Sequence, residues 1–366
     1  MKDVKRIFMV TDTHWGARAN SMEWFEIMKE FHEKVLIPTI KKNYREGDIL
    51  LHLGDMYDNR QSINLLINSY VIDLYTEIGK ILPVHIIVGN HDLYRKKSNE
   101  ITSLDGLKNI PNVNIHKNPI QYDWAGEKCL LMPWRRNQEE EIDTLVEYAD
   151  SDYVFCHSEV RGLKLNAKVT NREGITTTEY RGFKRVYSGH IHYSQEKGNV
   201  KMIGNPYQMT RSDMDNIKGM YILDIETGKE AFIENKVSPK FIKVHLLNYL
   251  DKTLEELKAD ITNNFVDLYI PAKISTSYNL GALMREIDGL ARFVEPNIYD
   301  ESCYIDTDLM ELDAEEIERI YKQFDIMNLC SKYIKSTGFE EELKSKLLNE
   351  VKKLHDTCAY QYNMEI

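Results

Sequence analysis

Cysteine is scarce: Cys129, Cys156, Cys303, Cys330 and Cys358 are odd in number, far apart and never spaced as CxxC. That pattern argues against a disulfide framework and suits a reducing, cytoplasmic setting. No run approaches the roughly 18 apolar residues of a membrane span. The charged start, Met1 to Arg6, has no long apolar stretch behind it, so a soluble protein without a signal peptide is expected. Internal repeats and low-complexity segments are missing as well. So is any G-x-x-x-x-G-K-[ST] loop, and the chain therefore carries no Walker ATP site of its own. Positive charge is also in short supply. A net charge of −11 argues at first against nucleic acid, whose phosphates need a positive footprint.

The uneven distribution of charge weakens that objection. From Arg161 to Arg211 ten Lys/Arg face three Asp/Glu, a net +7, whereas Glu301 to Ile366 carries eight Lys/Arg and fifteen Asp/Glu, a net −7. Each run is either a solvated face or a polarised binding surface. With 366 residues, 42% of them hydrophobic and 29% charged, the chain is long enough for one large globular domain plus appendages.

What is present is organised around Gly54-Asp55-Met56-Tyr57-Asp58, which follows the apolar run Ile49 to Leu53. Such a run, ended by glycine and two carboxylates, reads as a buried strand that presents Asp55 to a cleft. Four further fragments also follow runs rich in Val, Ile, Leu, Phe or Tyr: Asp12-Thr13-His14, Gly89-Asn90-His91-Asp92, His157, and Gly189-His190-Ile191-His192. Carboxylate, imidazole and one amide oxygen form a mixed O/N set suited to manganese, iron or zinc. No cysteine takes part, which disfavours a structural zinc knot. A single histidine at a strand end is ordinarily a hydrogen-bonded structural residue. Five such fragments in order carry more weight.

Between these fragments the chain alternates strand and helix patterns, the rhythm of an α/β sandwich with ligands at strand ends. Ile7 to Val10, Ile49 to Leu53 and Val84 to Val88 read as strands. Ser21 to Lys41 reads as a helix weakened near Pro38, and Ile63 to Ile78 as a helix stopped by Gly79. Strands are expected near Val113 to His116, Lys128 to Met132 and Val154 to His157, with a helix at Gln138 to Ala149 and a hairpin turn at Glu226 to Lys229. A domain boundary is expected near Pro239, giving a catalytic domain over 1–239. A small α/β module follows over 240–300, then a tail over 301–366 with two capping-box helix starts, Asp313 to Glu316 and Thr337 to Glu340.

In order, D-x-H, G-D-x-x-D, G-N-H-D, H and G-H-x-H resemble the full signature of the calcineurin-like metallophosphoesterases. More narrowly, Thr11 to Gly16, Gly54 to Asp58 and the later Gly204-Asn205-Pro206-Tyr207 resemble the SbcD family, called meiotic recombination eleven in eukaryotes, in its compact T-even phage form. The resemblance implies a four-layer αββα sandwich, a capping DNA-binding domain at 240–300 and a helix-loop-helix in 301–366. It implies a metal-dependent DNA nuclease, a 3′–5′ double-strand exonuclease and single-strand endonuclease in recombination and repair. The implied partners are DNA, an SMC-like coiled-coil ATPase bound through 313–366, and a second copy of the chain.

The family pattern, carried over residue by residue, implies two Mn2+, with Mg2+ or Fe2+ as substitutes. Asp12, His14 and His192 would hold the first metal and Asn90, His157 and His190 the second, with Asp55 shared. His190 and His192 at i and i+2 would share a face of a straight strand, so the assignment needs a loop that aims the rings apart. The resemblance makes His91 a general acid rather than a ligand, a role suited to imidazole. It leaves Asp58 and Asp92 to orient neighbours. Arg95, Lys96, Arg135, Arg136, Lys184 and Arg185 are either contacts to backbone phosphates or plain surface charge. Trp15, Tyr57 and Trp134 are read as core, with packing against a nucleotide as the alternative. The same metal site also serves metallophosphatases and small-molecule phosphodiesterases, so the motifs do not choose among substrates.

Overall fold

The computed structural model describes residues 4–95, 98–249, 254–271, 280–299, 334–335 and 339–364. Lys96 and the stretch from Asp313 to Met327, where the first tail helix is expected, lie outside the described residues. The chain divides into two units, Met1–Tyr299 and Asp300–Ile366.

The first unit is built on two six-stranded sheets. One has the order β14-β13-β1-β2-β3-β6, from β1 (Arg6–Val10), β2 (Asp48–His52), β3 (Val84–Ile87), β6 (Val113–His116), β13 (Gly219–Asp224) and β14 (Glu230–Glu234). The other runs β11-β12-β10-β9-β8-β7, from β7 (Ile120–Trp124), β8 (Glu127–Met132), β9 (Tyr153–His157), β10 (Arg185–Gly189), β11 (Gln195–Lys197) and β12 (Val200–Met202). Central strands of the first sheet are parallel, with Ile7 opposite Ile49 and Leu51 opposite His85. Such strands are covered on both faces and read as unbroken apolar runs.

Alternation within β1 shows the layers. Ile7 and Met9 pack with Ile49, Leu51, Phe155 and Tyr187 between the sheets. Phe8 and Val10 point the other way, to Phe25, Phe31, Val71 and Ile78 of the helices. Beyond the second sheet, Val154, Cys156 and Val186 pack against Leu145 and Tyr180. The result is the αββα sandwich that the family resemblance implied, in keeping with the α/β rhythm of the chain.

Two helix readings change in detail. Ser21 caps the helix Met22–Phe31 by accepting from the Trp24 N–H, and the chain continues through a π-helical turn, His32–Leu36, into Ile37–Asn43. Pro38 falls in the first turn of that last segment, where its missing N–H costs nothing, so the helix runs on past it. The helix Leu65–Ile81 likewise contains Gly79, which lies against the Pro111 backbone and stops nothing. The short hairpin β4 (Leu93–Arg95) and β5 (Ser98–Thr102), together with β7, escaped the sequence reading because these strands are short and interrupt their apolar residues with polar ones.

Residues from Phe241 to Tyr299 form a separate three-stranded sheet, β15 (Phe241–His245), β16 (Phe265–Pro271) and β17 (Phe293–Tyr299), all parallel, with helices Leu254–Ile261 and Leu280–Ile287. Val244, Leu257, Val266, Leu268 and Ile287 give this module its own core. Trp24 stacks on Phe265 with ring centroids 5.6 Å apart and joins it to the larger sandwich. In the second unit the helix Glu341–Met364 starts one residue after Glu340, where the second capping box is expected.

Candidate metal centre

Five strands of the two sheets end at one place. β1 leads into Asp12 and His14, β2 into Asp55, β3 into Asn90 and His91; β9 ends on His157 and β10 leads into His190 and His192. The loops that carry them are bent into unusual backbone. Asp12 (φ 51), His14 (φ 46), Asp55 (φ 52) and His190 (φ 77) are all left-handed. Each such non-glycine residue costs on the order of 1–3 kcal/mol, and such strain gathers at functional sites. Ladder-like bonds between the first two loops hold it: Asp12 N donates to Gly54 O at 3.0 Å and His14 N to Asp55 O at 3.1 Å. Gly54 itself has φ 94, and a Cβ there would lie 2.6 Å from His157 Nδ1, so only glycine fits.

The side chains fall into two clusters. His14 Nε2 lies 3.0 Å from His192 Nε2, with Asp12 Oδ1 at 3.9 and 3.7 Å from the two nitrogens. His157 Nε2 lies 3.2 Å from Asp55 Oδ2 and 3.0 Å from Asn90 Oδ1, and Asn90 Oδ1 lies 2.8 Å from His190 Nδ1. Asp12, His14 and His192 bring one atom each within 4.8 Å of one another, and so do Asp55, His157 and His190. A third overlapping set is His14, Asp55 and His91. The left-handed turn at His190 takes the chain out of β10, so its ring and that of His192 go to different clusters instead of sharing a face.

Electrostatics match a cation site. Asp12 and Asp55 are buried, at 0% and 2% exposure, and among the described residues neither has a Lys or Arg in ion-pair range. Burial works against the Asp55 charge, but His157 outweighs it by charge and hydrogen bond and holds the carboxyl well below its ordinary range. The converse holds for His157: burial would lower it, and the Asp55 charge raises it to about 9. Burial, then His14 and Lys218, push His192 well down, and burial with His157 takes His190 to about 3. Both rings are thus neutral, the form in which imidazole ligates. Buried carboxylates among imidazoles and an amide oxygen fit divalent metals of the manganese, iron and zinc kind. Asn90, His91, His190 and His192 are partly exposed, which opens the site to solvent.

The remaining residues sort themselves by distance. The backbone N–H of His91 donates to Asp55 Oδ1 at 2.7 Å, and its Nδ1 donates to Asp58 O at 2.8 Å. Asp58 Oδ1 faces His14 Nδ1 at 3.3 Å. Among the described residues Asp92 hydrogen-bonds to no ring; it accepts from Met56 N, Tyr57 N, Gly89 N and Ser103 Oγ and so ties the loops after β2 and β3 together. Trp15 and Tyr57 are core residues. Trp134, also read as core, is only partly buried and covers the second cluster, its ring 4.9 Å from His190 and 6.0 Å from His157.

Of the expected phosphate contacts, Arg95 is exposed on the hairpin that follows His91, and Arg135 and Arg136 follow Trp134. Lys184 and Arg185 fit the other alternative, surface charge. They stand at the opposite end of β10 from His190, and the strand between Arg185 and Gly189 alone spans about 13 Å at strand rise. Both are engaged, Lys184 by Glu127 and Asp152 and Arg185 by Glu196 and Glu230. Their partners come from distant strands, so no local pattern reveals the pairing.

Over 238 residues the chain is 29% identical to exonuclease subunit 1 of Enterobacteria phage T4, covering 64% of this chain and 68% of that protein. A solved protein of unknown function from Aquifex aeolicus (14% identity, 49% of this chain and 93% of that one) has a TM-score of 0.29. An archaeal phosphodiesterase (14% identity, 63% and 99%) has 0.32, and neither likeness carries an argument. The sequence model of the calcineurin-like phosphoesterases matches residues 5–194. That is more than half of the chain, and it spans every clustered residue from Asp12 to His192: the protein belongs to the calcineurin-like phosphoesterase family.

Proposed function

We propose that the protein is a DNA nuclease whose phosphodiester cleavage depends on two divalent cations, manganese foremost, and that it works with an SMC-like ATPase in processing DNA ends. The observation that carries this reading is the meeting of two O/N donor clusters around Asp55 at the ends of both sheets. Asp12, His14 and His192 would hold one cation and Asn90, His157 and His190 the other, with Asp55 contributing to both. Cations at such a site neutralise the phosphate oxygens and lower the pKa of a bound water.

The chain's own groups supply the rest. Leu53 O fixes the His157 ring through Nδ1 at 2.7 Å, which leaves Nε2 for the cluster. Asp58 O fixes His91 in the same way, so its Nε2 is the nitrogen left to protonate the departing sugar oxygen. Arg95 in β4 and Arg135 and Arg136 beyond β8 lie at this end of the sandwich and supply backbone-phosphate contacts, Arg136 by giving up its exposed pair with Glu140. The choice of DNA rests on the similarity to the T4 exonuclease subunit, whose name also implies a complex. The acidic tail is the docking element for a basic coiled-coil partner: Phe339 and Leu343 are exposed around the start of its helix.

The deciding assay compares manganese-dependent cleavage of labelled duplex DNA with hydrolysis of bis-p-nitrophenyl phosphate. Cleavage of the small ester with intact DNA would favour the alternative reading, a phosphatase or small-molecule phosphodiesterase. Deleting the chain from Asp313 onward should spare cleavage and abolish co-purification with the ATPase. Unchanged binding would move the docking surface elsewhere.

A further inference from the structure

The segment Gly204-Asn205-Pro206-Tyr207 stands out in sequence but supplies nothing to either cluster. It lies beneath the first one. Gly204 packs so close to His192 that a Cβ would lie 2.7 Å from the His192 carbonyl oxygen. Tyr207 donates its hydroxyl to Thr13 O, one residue before His14. Between them sits Lys218, 5% exposed, on the approach to β13. Its ammonium makes three bonds: to His192 O at 2.7 Å, to Asn205 Oδ1 at 2.6 Å and to Asp213 Oδ1 at 2.8 Å.

We infer that Lys218 is a positioning residue for the His14–His192 half of the metal centre, which it sets by clamping the His192 peptide. This rests on the metal-centre reading above. His192 lies in a loop beyond β10 with no strand ladder to orient it, and the residue two before it is left-handed. The direction of its carbonyl fixes its peptide plane and, through it, the ring that faces His14.

A buried ammonium is costly unless every proton is taken, and here an amide, a carbonyl and a carboxylate take all three. An apolar side chain would fill the same space without that cost. The charge is matched by Asp213, itself 3% exposed, whose Oδ2 accepts from Met209 N and Thr210 N. The turn that holds Asp213 is in turn anchored on the small sheet, because Arg211 pairs with Asp267 of β16 and Glu295 of β17. A fully bonded lysine therefore links the loop of one cluster to the small sheet, as partners behind a ligand do in metal sites, where their loss weakens binding about 10–100-fold.

The test is a titration of chelator-treated, full-length protein with Mn2+, followed by calorimetry and by electron paramagnetic resonance. Wild type should take up two equivalents and show an exchange-coupled pair. Lys218→Met should weaken one equivalent by about 10–100-fold, keep the other within about two-fold, and give a single-ion spectrum at one equivalent; Lys218→Arg should restore much of the loss.

A folded Lys218→Met protein that keeps both affinities, or loses both equally, overturns the inference and leaves Lys218 a structural residue. Should that variant fail to fold, Asn205→Ala, which removes one acceptor and leaves the charge pair, takes its place. It should weaken the same equivalent several-fold, and unchanged affinities would overturn the inference equally. Wild-type protein that binds fewer than two equivalents would instead remove the metal-centre reading, and this inference with it.

Discussion

The same strands carry opposite charge arrangements at their two ends. Where β1, β2 and β10 begin, every buried or half-buried charge is matched within the chain. Arg6 grips Asp48 with two bonds, at 3.0 and 2.6 Å. Arg185 and Lys201 share Glu196 and Glu230. Where those strands and β3 end, Asp12, Asp55 and Asp92 are buried without a lysine or arginine in ion-pair range among the described residues, and their bonds are to histidines, hydroxyls and backbone N–H groups. Burial and then the Asp55 charge push the Asp92 carboxyl up to about 7. One end is closed electrostatically; the other is short of positive charge, and that shortage is what bound cations would correct.

The comparison breaks first at Asp55. Asp55→Asn removes the charge shared by both clusters, and asparagine tolerates the left-handed backbone that position requires. Cleavage should fall at least about 10³-fold, the scale of lost electrostatic stabilisation, while circular dichroism stays unchanged. Near-normal manganese-dependent cleavage would show that the open end is not the reactive one. His91→Ala should cost on the order of 10² to 10⁴ in rate and leave both metal equivalents in place. A lost equivalent would instead put His91 among the ligands, in the set it forms with His14 and Asp55.

A smaller effect follows from the sign of the His157 shift. Its folded pKa is raised from 6.5 to about 9, so in chelated protein the folded state keeps a proton that the unfolded chain has released between those values. That contribution to stability is full below pH 6.5 and is lost as pH rises through 9. Metal uptake needs the neutral ring and should tighten over the same window, releasing a proton at pH 7.5. Calorimetry in buffers of different ionisation enthalpy measures the proton, and urea midpoints at pH 6 and 9 measure the stability. A buffer-independent heat would mean that His157 is already neutral.

How much of this the sequence discloses depends on how local the cause is. Asp12, His14, Asp55, Asn90, His157, His190 and His192 are legible because a strand end must be marked by residues next to it in the chain. Sheet layers are legible for the same reason, since Ile7 to Val10 and Ile49 to Leu53 are apolar throughout only if both faces are covered. The parting of His190 and His192 is not legible, because it turns on one backbone angle. Nor is the place of Lys218, whose three acceptors lie between 5 and 26 residues away. The Arg161–Arg211 charge excess misleads in part: Arg185, Lys201 and Arg211 are spent on carboxylates from other strands.

The smallest effect sharpens the contrast between the two ends most directly. Arg135 is half-buried beside Trp134; its Nε bonds to Pro133 O and Trp134 O at 3.2 Å, and its buried Nη2 has no hydrogen-bond partner among the described residues. Lys184 and Arg185 have all the carboxylates they need. A cation that neutralises a phosphate contributes about one unit to the slope of log affinity against log salt. Duplex DNA binding measured across salt, in calcium to prevent cleavage, should therefore lose roughly one unit of slope in Arg135→Ala and none in Lys184→Ala or Arg185→Ala. The reverse result, a flatter slope on losing Lys184 or Arg185 and none on losing Arg135, would mean that DNA lies along the closed end of the strands, and the charges paired there would have to exchange their partners for phosphate.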